Sequence, residues 1–410
     1  MTNTKIFNKL INIKKNDCEL LFTVYVFFSY IITIFNSLVR SIISKTYKID
    51  TLLLYVFFVL LFFFMLREFI RRITLWHIVS IFMIIFVLTI SLLFSIDPST
   101  NAKVIIEILI KCIPSFLLAG TVRDFQKLKK YFSKVSHLVP WGYIFMIFVL
   151  KKSLLLDSNT YEQSISYLLL LPTIVLMGEI IEHFSFKTLI PLSLGTLIML
   201  SYGARGPFIC LLLYMFVKIF FMSNKNNRSN ITSISIVAIC IYTYMFFFNI
   251  LATILEFFET LGFSTRVING LINASFFEDV SRQNIYKLCL ERILSNPIVG
   301  TGIINDRIYI SRVLFSGANP VGYYPHNIIL EILMQFGIFI GIGILVSLIL
   351  FISRLLLSKN VSNDSKNIVL IYIGIGFFPL LFSGSYISEE QFYILLAICL
   401  TINLKNKKIR

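Results

Sequence analysis

The run Asn327-Ile-Ile-Leu-Glu-Ile-Leu-Met-Gln-Phe-Gly-Ile-Phe-Ile-Gly-Ile-Gly-Ile-Leu-Val-Ser-Leu-Ile-Leu-Phe-Ile352 decides the fold. It carries one ionisable side chain, Glu331, and exceeds the roughly 20 apolar residues that cross a bilayer as a helix. Working outward, similar runs lie near 19–39, 50–66, 75–96, 104–121, 135–150, 163–181, 188–202, 207–222, 231–250, 367–384 and 391–404. The whole chain of 410 residues is 57% hydrophobic and 14% charged. A soluble domain carries about 25% charged residues, so lipid must cover much of this surface. The expected architecture is an all-α polytopic membrane protein of about 12 transmembrane helices. The first run is too long for a signal-peptide core and lacks a small-residue cleavage site, so no cleaved signal is expected.

Charge sets the orientation. With the N-terminus inside, the inner segments collect more than half of the 37 Lys and Arg, including Lys14, Arg71, Lys129, Lys130, Lys359 and Lys408. The alternation obeys the positive-inside rule at almost every loop and places both termini in the cytoplasm. The net charge of +16 is scattered over short loops and has a topological explanation, so no nucleic-acid partner is expected. Six cysteines without a CxxC pair indicate neither a disulfide framework nor a thiolate zinc site.

One stretch departs from the short loops. Residues 251–326 contain no convincing span and fall outside, before the last three helices. Long loops in compact architectures are functional or disordered. This one is rich in Ile, Leu and Phe, which favours order. Leu251 to Leu261 reads as an interfacial helix. Residues 281–294 read as an amphipathic helix that Ser281 can cap and Asn296-Pro297 ends, with a turn at Gly300-Thr301-Gly302. That Gly-Thr-Gly follows a helix and lacks the rest of a dinucleotide fingerprint.

The chemistry-bearing residues gather on this face. His326, in Tyr323-Tyr324-Pro325-His326-Asn327, is the one histidine of four placed outside. As a neutral imidazole it can take a proton from a hydroxyl, or it is a helix-start residue that caps or snorkels. On the outer face between 205 and 326 the basic residues are Arg205, Arg266, Arg282, Lys287, Arg292, Arg307 and Arg312, whereas lysine prevails elsewhere. Guanidinium forks match phosphate oxygens bidentately. The alternative is pairing with the loop's own acids, such as Glu291 and Asp306. Arg205 lies in Ser201-Tyr-Gly-Ala-Arg205-Gly-Pro207, between two apolar runs. An ionisable group at membrane depth is a functional candidate by default; the competing reading is a lipid-headgroup contact. Pro207 leaves amide donors at a helix N-terminus, which favours an anion. Glu331 lies five residues after His326 and orients it only if the helix start is distorted. Glu389 and Glu390 stand in the last outside turn, within reach of the loop. No outside acid/His cluster has metal-ligand spacing, so no metal is expected.

Three motifs in order resemble the O-antigen ligase/O-antigen polymerase superfamily of bacterial envelope enzymes. They are Ser201-Tyr-Gly-Ala-Arg205-Gly-Pro; then Ser281-Arg282 leading to Asn296-Pro297-Ile-Val-Gly300-Thr-Gly302; then Pro325-His326-Asn327 through Glu331 to Gly337 and Gly341. The resemblance covers about 190–350 and divides the chain into N-terminal transmembrane helices, 1–190, and a ligase/polymerase-like region, 191–410. It implies glycan transfer from an undecaprenyl-diphosphate carrier to an acceptor hydroxyl, with no cofactor, nucleotide sugar or metal, at the bacterial plasma (inner) membrane. It implies that Arg205 and Arg282 bind and stabilise the departing diphosphate and that His326 activates the hydroxyl. Arg266, Arg292, Arg307, Arg312, Tyr324 and Glu331 are then candidate substrate contacts. Undecaprenyl-diphosphate-linked oligosaccharide and membrane lipids are the expected partners, and a chain-length regulator is a candidate one. The motifs do not separate an O-antigen or capsular polysaccharide polymerase, favoured here, from a ligase acting on lipid A core. A lipid-linked oligosaccharide flippase is the reading from another class, although no internal repeat is visible.

Overall fold

The computed structural model describes residues 17–28, 30, 56, 70–149, 163–201, 205–222, 280–316 and 320–409. Every regular element among these is helical. The helices are α1 (Cys18–Phe28), α2 (Leu75–Leu93), α3 (Pro98–Glu107), α4 (Ile113–Ala119), α5 (Phe125–Val149), α6 (Gln163–Glu182), α7 (Phe186–Ser201), α8 (Arg205–Met222), α9 (Val280–Ser295), α10 (Asn305–Leu314), α11 (Ile328–Leu357), α12 (Asn363–Tyr372) and α13 (Glu390–Ile409). Four stretches are long and apolar enough to cross a membrane: Leu75–Leu93, Ile165–Glu182, Ile328–Leu357 and Asn363–Leu381; Cys18–Phe28 and Phe186–Leu200 are shorter apolar helices. The expected spans at 50–66 and 231–250, most of 19–39 and the loop helix at 251–261 lie outside the described residues.

Several ends differ from the hydropathy reading. The run expected at 104–121 begins at Pro98, because Asp97 caps α3 by accepting from the amides of Ser99 (3.0 Å) and Thr100 (3.4 Å), and Pro98 suits the first turn. A π-turn over Ile108–Cys112 joins α3 to α4. The run expected at 135–150 begins at Phe125, since Lys127, Lys129 and Lys130 extend the helix below the apolar part. Hydropathy sees where lipid lies; capping and ion pairs decide where a helix starts.

Packing runs opposite to a water-soluble protein at the periphery. Trp76, Phe82, Met83 and Phe86 on α2 and Phe339, Ile340 and Ile349 on α11 are exposed. Lipid tails are the solvent that tolerates such a surface, and helices satisfy their own backbone groups within it. The interior holds an aromatic cluster in which Phe132 stands 5.4 Å from Phe27 and 6.3 Å from Tyr372, ring centre to ring centre.

The two ends of the bundle differ chemically. At one end, Lys218 of α8 is buried and donates to Glu182 at 2.6 Å and to Asn367 of α12. Lys129 of α5 pairs with the same Glu182 at 2.6 Å, and Lys127 pairs with Asp17 at 2.6 Å. At a rise of about 1.5 Å per residue, the opposite end of α6, at Gln163, lies roughly 28 Å away. A buried ammonium that loses its partner is strongly destabilising. Glu182→Ala is therefore expected to lower stability by about 3 kcal/mol, with a matching fall in thermal midpoint in detergent. Adding Lys218→Met to that variant should recover most of the loss.

At the Gln163 end, α11 is broken. Gly337 adopts φ 77°, ψ 174°, a non-helical conformation within the helix. The turn after α9 fills the break. Thr301 N–H donates to Met334 C=O (2.8 Å), Gly302 N–H to Gln335 C=O (3.0 Å), and Ile338 N–H to Pro297 C=O (2.7 Å). Backbone groups orphaned by the kink are thus satisfied by 297–302. The Gly300-Thr301-Gly302 turn is a lock for α11. Gly300 (φ 72°) and Gly302 (φ 85°) supply the left-handed conformations it needs.

Candidate functional site

A short segment, Leu381-Phe-Ser-Gly-Ser-Tyr386, organises the site. It follows a 3-10 turn over Phe378–Leu381 and precedes α13. Three successive backbone carbonyls point to the chemistry-bearing residues. Leu381 C=O accepts from Asn327 Nδ2 (3.2 Å), Phe382 C=O from Arg282 Nη1 (2.5 Å), and Ser383 C=O from both His326 Nδ1 (3.0 Å) and the Tyr324 hydroxyl (3.0 Å). Residues 282 and 326, distant in sequence, are anchored one peptide apart.

This arrangement fixes the imidazole. A carbonyl only accepts, so Nδ1 carries the proton and a neutral His326 has its lone pair on Nε2. The ring rests against Tyr324, with centroids 4.2 Å apart. His326 itself is left-handed at φ 55°, uncommon outside glycine and a mark of a backbone held by its surroundings. It does not cap α11. Asn327 does, accepting from the amides of Ile329 (2.9 Å) and Leu330 (3.2 Å). The capping explanation for His326 is thereby removed.

His326, Tyr324 and Ser383 border a polar cavity of about 330 Å³, lined also by Gln163, Tyr167, Pro379, Gly384 and Glu389. Gln163 Nε2 donates to Ser383 Oγ at 2.7 Å, tying α6 to the same segment. Arg205 opens α8 beside this wall: the next residue, Gly206, packs directly on the Tyr167 hydroxyl. Burial raises the pKa of Tyr324 above the ordinary phenol value, while the nearby Arg307 and Arg282 guanidiniums pull it down. Enclosure likewise pushes Glu389 up to about 7, helped by neighbouring Glu390 and opposed by an amide hydrogen bond from Gln391 and by Lys111.

A buried network supports the rim from behind. Arg307 is 1% exposed; it donates to Val321 C=O (2.5 Å) and Ser385 Oγ (2.9 Å) and lies 5.1 Å from the Tyr324 ring centre. Glu331 is fully buried and accepts from Ser385 Oγ and from Tyr386 N–H (3.3 Å). Gln335 donates to Asp306 (2.9 Å) and accepts from the Tyr386 hydroxyl. Burial raises the Asp306 carboxyl above its ordinary pKa, and Arg307 opposes that shift.

The expected site residues therefore divide. Arg282, His326 and Tyr324 meet at the 381–386 segment, and Arg205 begins the helix whose Gly206 packs on Tyr167 of the cavity wall. Arg307 and Glu331 brace that segment from within the protein: both are committed to internal partners, which argues against substrate contact. Glu331 does not orient His326 by direct approach along the helix; it fixes the turn whose Ser383 carbonyl holds the ring. Arg292 stacks over Tyr309 at 4.7 Å, and Arg312 is exposed at the end of α10. Arg266 and the Gly203-Ala204 turn lie outside the described residues. Ser383, Ser385, Gln163 and Tyr167 escaped the sequence reading, because their contribution is geometric and largely through backbone carbonyls.

Residues 190–345 match the protein-family model described as Wzy_C, O-antigen ligase. No match is found among curated proteins. The matched stretch contains Arg205, Arg282 and His326 together with the locking turn and the kink at Gly337, and the match supports the O-antigen ligase/polymerase superfamily for this region of the chain.

Proposed function

We propose that the protein is an O-antigen or capsular polysaccharide polymerase that moves glycan from undecaprenyl diphosphate to a hydroxyl of a lipid-linked repeat unit. The reaction would run at the outer face of the bacterial plasma membrane, with both termini of the chain in the cytoplasm. The observation that carries this reading is the anchoring of Arg282 and His326 on adjacent carbonyls, the second of which, Ser383, lines a polar cavity with His326. A hydroxyl entering that cavity meets a lone pair on Nε2. In this reading the guanidinium groups of Arg282 and Arg205 bind the diphosphate leaving group as it accumulates charge. The acceptor C–O bond forms as the anomeric C–O bond to phosphate breaks, and the hydroxyl proton passes to His326. The apolar outer faces of α2 and α11 suit a membrane-embedded polyprenyl tail.

The ligase reading keeps the same chemistry with a different acceptor, and the family match does not separate the two. Gel analysis of surface polysaccharide in a deletion strain separates the two. Single repeat units on the acceptor indicate a lost polymerase; polymer retained on the carrier indicates a lost ligase. The flippase reading gains no support from the site. Purified protein supplied with lipid-linked repeat units should build a ladder without a membrane potential, and His326→Ala should slow it by about 100-fold or more. An unchanged ladder in that variant would remove the imidazole from the mechanism.

A further inference from the structure

We infer that Glu389 is a second proton-handling catalytic residue of the cavity, receiving from His326 the proton taken from the acceptor hydroxyl. The inference rests on the transfer reaction proposed above. Glu389 lines the cavity that His326 and Tyr324 also line. Among the described residues it is the one carboxylate that does so; Glu331 and Asp306 lie behind the rim in the internal network. Its Oε2 approaches Gly384, the residue after the carbonyl that holds His326.

The chemistry calls for such a group. Once His326 Nε2 takes the proton, the ring is an imidazolium whose Nδ1 is committed to a neutral carbonyl. That carbonyl orients the ring and brings no negative charge to offset the cation. A carboxylate on the same cavity does, and it then carries the proton to water at the opening. The proton leaves the sugar oxygen for Nε2, moves to a Glu389 oxygen and passes to solvent. His326 returns neutral and Glu389 ionised, with no other reagent consumed. A carboxyl that exchanges protons near pH 7 suits a carrier better than an ordinary glutamate, which stays ionised there. Among the described residues, the charged and titratable groups facing Glu389 are Glu390 on α13, Lys111 and Cys112 on the π-turn, Tyr167 on α6, Tyr324 before α11 and His326 on the same cavity.

Glu389 also precedes α13 and accepts from the Gln391 amide, so its helix-capping role must be held constant. Asn and Asp cap helices about equally well, yet only Asp titrates. The test compares Glu389→Asn and Glu389→Asp in the full-length purified protein with lipid-linked repeat units. Glu389→Asn is expected to lower kcat by about tenfold or more with little change in KM. Glu389→Asp should retain most of the rate. Wild type needs neutral His326 and ionised Glu389, so the acid limb of log kcat against pH should approach a slope of two; in Glu389→Asn it should fall to one. Formate should accelerate a Glu389→Ala variant in proportion to its concentration. An Asn variant with wild-type kcat and an unchanged acid limb overturns the role. A wild-type protein that makes no product overturns the transfer reaction itself, which is a separate result.

Discussion

Arg282→Ala is expected to reduce glycan transfer by about a thousandfold while leaving the protein folded and membrane-inserted. Its guanidinium donates to Phe382 C=O, next to the Ser383 carbonyl that holds His326. That bond fixes the plane of the fork. A guanidinium oriented in this way can meet diphosphate oxygens without reorganising as charge develops. Removing one such donor from a transition state costs about 100- to 1,000-fold. Arg282→Ala removes the charge and every donor together, so the upper end applies. Arg282→Lys keeps the charge but cannot hold the carbonyl and a phosphate in the same plane, and it should recover only a small part of the rate. The check is single-turnover transfer by purified variants, with thermal midpoints in detergent measured alongside. Arg307→Ala should behave differently. Arg307 is buried against Val321 C=O and Ser385, so its loss should lower the thermal midpoint as well as the rate. If Arg282→Ala retains a tenth of wild-type activity, the carrier diphosphate is not held there.

What the sequence disclosed about this site follows a physical pattern. Lipid selects side chains by transfer energy alone, so apolar runs such as 327–352 announce themselves. An arginine at Arg205, a single outer histidine at His326 and a proline before it are exceptions against that background, and exceptions are visible. The family resemblance groups Arg282 with His326, but the physical link between them is not legible, because it is two neighbouring carbonyls, and a carbonyl carries no signature of its own. The segment Leu381-Phe-Ser-Gly-Ser-Tyr386 reads as the polar end of a span. Only folding shows that its backbone is the anchor. Arg307 and Glu331 look like substrate contacts for a related reason. A charged residue on the outer face is equally compatible with binding a ligand and with serving an internal network. Burial decides, and it is set by elements far away in sequence.

The same reasoning changes the meaning of the glycines. Gly300-Thr301-Gly302 lacks a phosphate-binding context, and the structure gives it another use. A Cβ on Gly300 would stand 2.5 Å from Gln335 C=O and Gly337 N, closer than real contacts allow, and one on Gly337 would strike the Ile298 carbonyl. Both clashes are backbone against backbone, so no rotamer change relieves them. Gly337 also holds φ 77°, ψ 174°, a region open almost only to glycine. Gly337→Ala should therefore cost at least about 3 kcal/mol, combining conformational strain with disruption of the three hydrogen bonds that join 297–302 to α11. The effect should reach the site, because α11 begins at the Asn327 cap beside His326 and carries Glu331 and Gln335, which brace the 383–386 turn. Transfer activity should fall with the thermal midpoint. Gly343 on the same helix is the control: a Cβ there meets nothing within 4 Å, so Gly343→Ala should leave both quantities unchanged or slightly raised. Equal stability in Gly337→Ala and Gly343→Ala would mean that the turn does not lock the helix. A loss confined to Gly337→Ala would tie the conformation of a backbone kink to the position of the His326 imidazole.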